Sequence, residues 1–190
     1  MNLPTKITVA RLLLIPVFVA LYLIEFPYHL LVATVVFMIA SFTDYLDGHL
    51  ARKYNLVTDL GKFLDPVADK VLVASALILI VKWVNALQIF ILIASIIILA
   101  RELIITCFRT IAATKNVVLA ADKIGKAKTV TQLIGLIIYL PFVEIASFSA
   151  LAGEIFMYVG FGFLMLATVL TLVSAGNYII KNANVLKDNK

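Results

Sequence analysis

Six long apolar stretches constrain the fold of this chain more than any other feature. They run over residues 7–24, 27–50, 66–84, 86–107, 129–143 and 155–180. A bilayer core is crossed by about 20 helical residues, and lipid leaves no partner for unpaired backbone groups, so such stretches cross as helices. The sixth reaches that length without a charge, whereas the second to fifth reach it by including charged ends. With 63% hydrophobic residues in a chain of 190, a soluble domain is excluded and two membrane domains would not fit. The expectation is an all-α integral membrane protein: one domain over 1–190, built as a six-transmembrane-helix bundle. Arg11 and Pro16 interrupt the first stretch, and no clean cleavage site follows, so no removable signal peptide is read there. Cys107 is the single cysteine, which rules out an intrachain disulfide.

Lys and Arg set the expected orientation. Fifteen of the sixteen fall at the N-terminus, in 51–70, in 101–128 or in the C-terminal tail; Lys82 is the exception. Six spans put those four regions on one side, and the positive-inside rule makes that side cytoplasmic. Both termini are then cytoplasmic, and Trp83 and Tyr28 belong to the outer interface. A net charge of +5 raises the possibility of nucleic acid, but no basic-aromatic stripe supports it. The excess fits topology and anionic membrane lipids instead.

Against this background four carboxylates stand out: Asp44, Asp47, Asp65 and Asp69, within 26 residues. Asp44 and Asp47 are i,i+3, and Asp65 and Asp69 are i,i+4, so on helices each pair shares a face. Counting about 20 residues from Pro27, and back from Val84, puts both pairs at one membrane surface. The connection between the two stretches is short, and Gly61 and Asp65-Pro66 are natural starts for the third helix. The two helices are thus expected as antiparallel neighbours, closing the pairs into an oxygen-only cage suited to Mg²⁺ or Mn²⁺. The expected cavity is polar and faces the cytoplasm. Capping and pairing with Arg52, Lys62 or Lys70 could explain any one aspartate, but four charges at these spacings in a membrane chain point to function. Asp59 falls outside the pattern as a loop or cap residue, and His49 reads as an interfacial side chain.

Written out, the pattern is Asp44-x2-Asp47-Gly48-x2-Ala51-Arg52-x8-Gly61-x3-Asp65-x3-Asp69. It resembles the signature of the CDP-alcohol phosphatidyltransferase family, with all eight fixed positions present. The resemblance implies CDP-diacylglycerol as donor, a divalent metal site of two ions on Asp44, Asp47, Asp65 and Asp69, Asp69 as catalytic base, and a homodimer. The residues fit that chemistry. Gly48 removes a Cβ where a nucleotide would press on a helix, Ala51 keeps the same face shallow, and Arg52 offers a fork to phosphate. With Thr58 and Gly61 these form the expected CDP pocket.

The acceptor is read from other residues. Arg101, Arg109, Lys126 and Lys128 gather at the cytoplasmic ends of the fourth and fifth stretches, which suits an alcohol carrying phosphate; anchoring to anionic lipid is the plainer account. Arg101 and Glu102 fall inside the bilayer boundary and should face the bundle interior. The runs 101–109 and 125–129, the opening 2–8 and 61–66 resemble the branch of the family whose acceptor is sn-glycerol 3-phosphate. This chain has Thr106-Cys107-Phe108-Arg109 where that branch usually has Thr-Gly-Leu-Arg. Phosphatidylglycerol and inositol phosphate are the alternative acceptors. A prenyl transferase would use different aspartate spacing and more spans. A divalent-cation transporter would need polar residues near the midplane.

Overall fold

The computed structural model describes residues 3–53, 59–83, 85–115 and 123–182; the side chains of residues 3–6, 44–53, 59–63, 65, 66 and 123 are outside that description. Among the described residues all regular structure is helical. The helices are α1 (Leu3–Leu23), α2 (His29–Lys53), α3 (Asp59–Leu79), α4 (Gln88–Thr114), α5 (Lys123–Tyr139), α6 (Phe142–Phe148) and α7 (Ala150–Asn182), with a 3₁₀ turn over Ile80–Lys82.

Three helical stretches are long and apolar enough to cross a membrane: Gln88–Thr114, Ile124–Phe148 and Ala150–Asn182. Shorter apolar helices cover Ile7–Leu23 and His29–Thr43. The chain is a multi-pass membrane protein. Its outer surface is apolar too, with Leu13, Ile78, Leu103, Leu151 and Ile180 all more than 60% exposed. Helices that are hydrophobic all round belong in lipid.

The helices extend beyond the apolar stretches that announce them. The third helix begins at Asp59, two residues ahead of the Gly61 start and well before the Asp65-Pro66 one, so Pro66 lies inside α3. The fifth begins at Lys123, which makes Lys126 and Lys128 helical residues, not part of a loop. Hydropathy marks only the length a helix shows to lipid; a polar end continues wherever the bundle or water satisfies it.

Helices α2 and α3 each pack on α1 and also touch one another, while α7 packs along α5 and meets α4 and α6. The core joins Phe18 and Tyr22 of α1, Phe37 of α2, Leu72 and Leu77 of α3, Ile98 of α4 and Leu136 and Tyr139 of α5. The α5–α7 seam depends on small residues. A Cβ on Gly160 would lie 2.9 Å from the Tyr139 backbone nitrogen, so the two backbones approach as glycine allows.

One end of the bundle is finished by aromatic and amide groups. Trp83 Nε1 donates to the Tyr22 hydroxyl at 2.9 Å, and Asn85 Nδ2 donates to the Tyr139 hydroxyl at 3.0 Å. Glu144 Oε2 accepts the Leu30 N–H at 2.7 Å, placing a carboxylate on the amino end of α2 where the helix dipole favours it. Lys82 lies 4.8 Å from the Trp83 ring centre and 4.0 Å from Glu25.

Candidate active site

The opposite end carries the aspartates. Helix α2 runs through Asp44 and Asp47, and α3 through Asp65 and Asp69, so the helical spacing expected of each pair is realised in the backbone. Gly48, Ala51 and Arg52 also lie in α2, and Gly61 in the first turn of α3. The side chains of Asp44, Asp47, Ala51, Arg52 and Asp65 lie outside the described residues, as does Thr58 entirely.

Asp69 is described and half-buried. It lines a cavity of about 260 Å³ between α3, α4 and α5, together with Lys70, Glu102, Lys128 and Gln132. Pockets that engulf drug-sized ligands run from about 300 Å³ upward, so this one suits a small molecule rather than a whole nucleotide-linked lipid.

A carboxylate organises the charges around it. Glu102 Oε1 accepts from Lys128 Nζ at 2.7 Å and from Arg101 Nη1 at 3.0 Å. Arg101 Nη2 donates to Ser174 Oγ of α7 at 2.8 Å, joining α4 to α7. Lys70 Nζ donates to Thr106 Oγ1 at 2.5 Å, and that hydroxyl donates to the Glu102 carbonyl at 2.6 Å. Lys128 is 2% exposed; an ammonium buried this deeply needs a paired charge, and Glu102 supplies it. Asp69 is also close enough to act on Lys128 electrostatically.

The structure divides the four expected acceptor cations. Arg101 and Lys128 meet at Glu102. Arg109 is exposed, about 12 Å further along α4, where its Nε donates to the Tyr178 hydroxyl at 3.1 Å and its guanidinium stacks 5.4 Å from that ring. Lys126 is exposed, because side chains two apart on a helix do not face each other. Of the four, Lys128 alone lines the cavity; Arg101 is tied to it through Glu102.

No group of three or more metal-type side chains forms among the described residues. The donor chemistry is what bears on a metal here. The four carboxylates provide oxygen only, and the two helices that carry them are in contact. That set fits a hard divalent cation.

Comparison with known proteins decides the family. The family model for CDP-alcohol phosphatidyltransferase matches residues 1–176. The chain belongs to the CDP-alcohol phosphatidyltransferase family. This phosphatidyltransferase is 40% identical over 202 aligned positions to a Bacillus subtilis (strain 168) protein, covering 98% of this chain and 97% of the other. It is 37% identical to one from Salmonella paratyphi A, covering 94% and 93%, and 34% identical to one from Rickettsia bellii, covering 93% of each. All three relatives bear the name CDP-diacylglycerol–glycerol-3-phosphate 3-phosphatidyltransferase.

Three polar residues of the phosphatidyltransferase were not among the candidates. Glu102 was expected to face inward, but not to join two of the proposed cations. Gln132 lines the cavity; its signal was a polar residue one turn along a helix from Lys128. Arg11 is fully buried on α1, the helix packed on both aspartate-bearing helices. A lone charge inside the first apolar stretch was its signal.

Proposed function

We propose that the chain transfers a phosphatidyl group from CDP-diacylglycerol to the 1-hydroxyl of sn-glycerol 3-phosphate, releasing CMP. The observation that carries this reading is the small cavity lined by Asp69, Lys70, Glu102 and Lys128, with Arg101 joined to it through Glu102. It sets a carboxylate fit to act as a base and cations fit to hold phosphate around one small space whose remaining walls are largely apolar. The names of the relatives agree with that donor and acceptor.

The acceptor's 1-hydroxyl oxygen attacks the phosphorus bearing the diacylglycerol. The new O–P bond forms as the pyrophosphate P–O bond breaks, CMP leaves with the bridging oxygen, and the hydroxyl proton passes to the Asp69 carboxylate. Asp44, Asp47, Asp65 and Asp69 would hold Mg²⁺ or Mn²⁺, and two ions would suit four carboxylates. When bound, the metal neutralises pyrophosphate charge and polarises the phosphoryl oxygens. Gly48, Ala51, Arg52, Thr58 and Gly61 receive the CDP moiety. Arg101 and Lys128 hold the acceptor phosphate, which competes with Glu102 for both, and Arg109 and Lys126 steer the anion from outside the cavity. The chain is a single domain over 1–190 with six spans, and it works as a homodimer. Its cavity and both termini face the cytoplasm.

Purified protein is tested with CDP-diacylglycerol, Mg²⁺ or Mn²⁺, and glycerol 3-phosphate, phosphatidylglycerol or inositol phosphate, scoring CMP. The expected result is metal-dependent CMP release with glycerol 3-phosphate. Release with another acceptor alone would reject the acceptor assignment, and metal-independent release would reject the carboxylate cage. For orientation, in a Cys107→Ser background, a cysteine replacing Glu25 should react with an impermeant thiol reagent outside intact cells. One replacing Asn116 should be shielded; the reverse pattern would overturn the topology.

A further inference from the structure

We infer that Gln132 reads the 2-hydroxyl of the acceptor, and so selects a vicinal-diol phosphate over a simple hydroxyalkyl phosphate. This rests on the acceptor proposed above and assigns a group to its remaining hydroxyl.

Gln132 is 2% exposed, and neither its Nε2 nor its Oε1 has a hydrogen-bond partner among the described residues. Buried side-chain amides in folded proteins are nearly always paired, so two unpaired atoms on one residue call for a ligand. The residue lines the same cavity as Asp69 and Lys128. It lies one turn beyond Lys128 on α5, about 6 Å along the axis, and the next turn carries Leu136, which is wholly buried in the core. The cavity thus runs from an ionic rim to a neutral amide, with hydrocarbon beyond.

That gradient matches the acceptor group by group. The phosphate belongs with Lys128 and Arg101, and the reacting 1-hydroxyl belongs with Asp69. One group of the substrate is left, a hydroxyl that both donates and accepts. Of the cavity's other polar side chains, Lys70 and Thr129 are already bonded to the Thr106 hydroxyl and the Gly125 carbonyl, which leaves Gln132, an amide with two donors and a carbonyl acceptor. An amide does not compete for the phosphate, which a lysine there would do, and it does not repel the phosphate, as a carboxylate would. A site built to bond a hydroxyl rejects the analogue that lacks it, because its own buried group is left unpaired.

The test compares sn-glycerol 3-phosphate with 3-hydroxypropyl phosphate, which keeps the reacting hydroxyl and the phosphate but lacks the 2-hydroxyl. The wild type should favour glycerol 3-phosphate by about 10- to 100-fold in kcat/KM. In Gln132→Leu that preference should fall to within about threefold, through loss on glycerol 3-phosphate, with the KM for CDP-diacylglycerol unchanged. Gln132→Met, closer in shape, supplies the same ratio if the leucine variant does not fold. A preference that survives in the variants, or an equal fall on both acceptors, would overturn the inference. So would a wild type that uses both acceptors equally well, with no variant needed. A wild type that uses neither, yet releases CMP with another alcohol, would overturn the acceptor assignment itself and this inference with it.

Discussion

At the Trp83 end of the bundle, indole meets phenol, amide meets phenol, and the Glu144 carboxylate meets a backbone N–H. At the Asp69 end, one carboxylate is shared between Arg101 and Lys128, while Gln132 and the Arg101 Nε are buried without partners; at the Trp83 end, the described exception is His29 Nε2. The first end satisfies most of its polar groups one by one, through neutral side-chain bonds and single carboxylate contacts, and closes. The second concentrates charge around a cavity and leaves the Gln132 amide that lines it without a partner among the described residues. In a membrane protein the first arrangement serves stability, and the second is retained despite its cost because something binds there.

The largest effect that would break this contrast is at the base. Asp69→Asn should lower kcat by roughly 10²-fold or more with little change in thermal unfolding in detergent. The same change at Asp44, Asp47 or Asp65 should act comparably through lost metal affinity, while Asp59→Asn should be nearly silent. Full activity in Asp47→Asn would sink the metal cage.

The next effect sharpens the division among the cations. Lys128→Met should raise the acceptor KM by about 10- to 100-fold, as expected for a charge-assisted contact to phosphate. Lys126→Met should change it by less than about threefold, since steering charges on a surface act weakly and are screened. Equal effects at the two lysines would mean that the cavity does not define the acceptor site.

Glu102→Gln leaves Lys128 buried without its anion. It should cost about 3 kcal/mol of stability, read as a lower unfolding midpoint, and a protein as stable as the wild type would show that the pair is not structural. The smallest effect belongs to the closed end. Tyr22→Phe and Tyr139→Phe each remove one neutral hydrogen bond, worth about 1 kcal/mol, and both KM values should stay put. A kinetic change there would erase the distinction between the ends.

That each aspartate pair lies on one helix was legible because the information is local: the chain is helical through both pairs, and three or four residues along a helix share a face. The apolar stretches were legible as helices for the same reason, and three of the helical stretches are long and apolar enough to cross a membrane. The Glu102–Lys128 pair was not, because it joins residues 26 apart across a connection. Arg109 was grouped with Arg101 from a shared sign of charge, yet Tyr178, 69 residues away, holds it elsewhere. Lys126 and Lys128 would have been separated by helical period alone, had the helix been known to begin at Lys123 and not after the charges.

The Glu144 contact has a mechanical consequence. It clasps α2 at its second residue, Leu30, while the motif begins at Asp44, about 21 Å further along the axis. Displacement of α2 along its axis by even one residue, about 1.5 Å, stretches that 2.7 Å bond out of range. A slide of α2 along its axis therefore breaks this bond, whereas a swing of its other end about Leu30 keeps it.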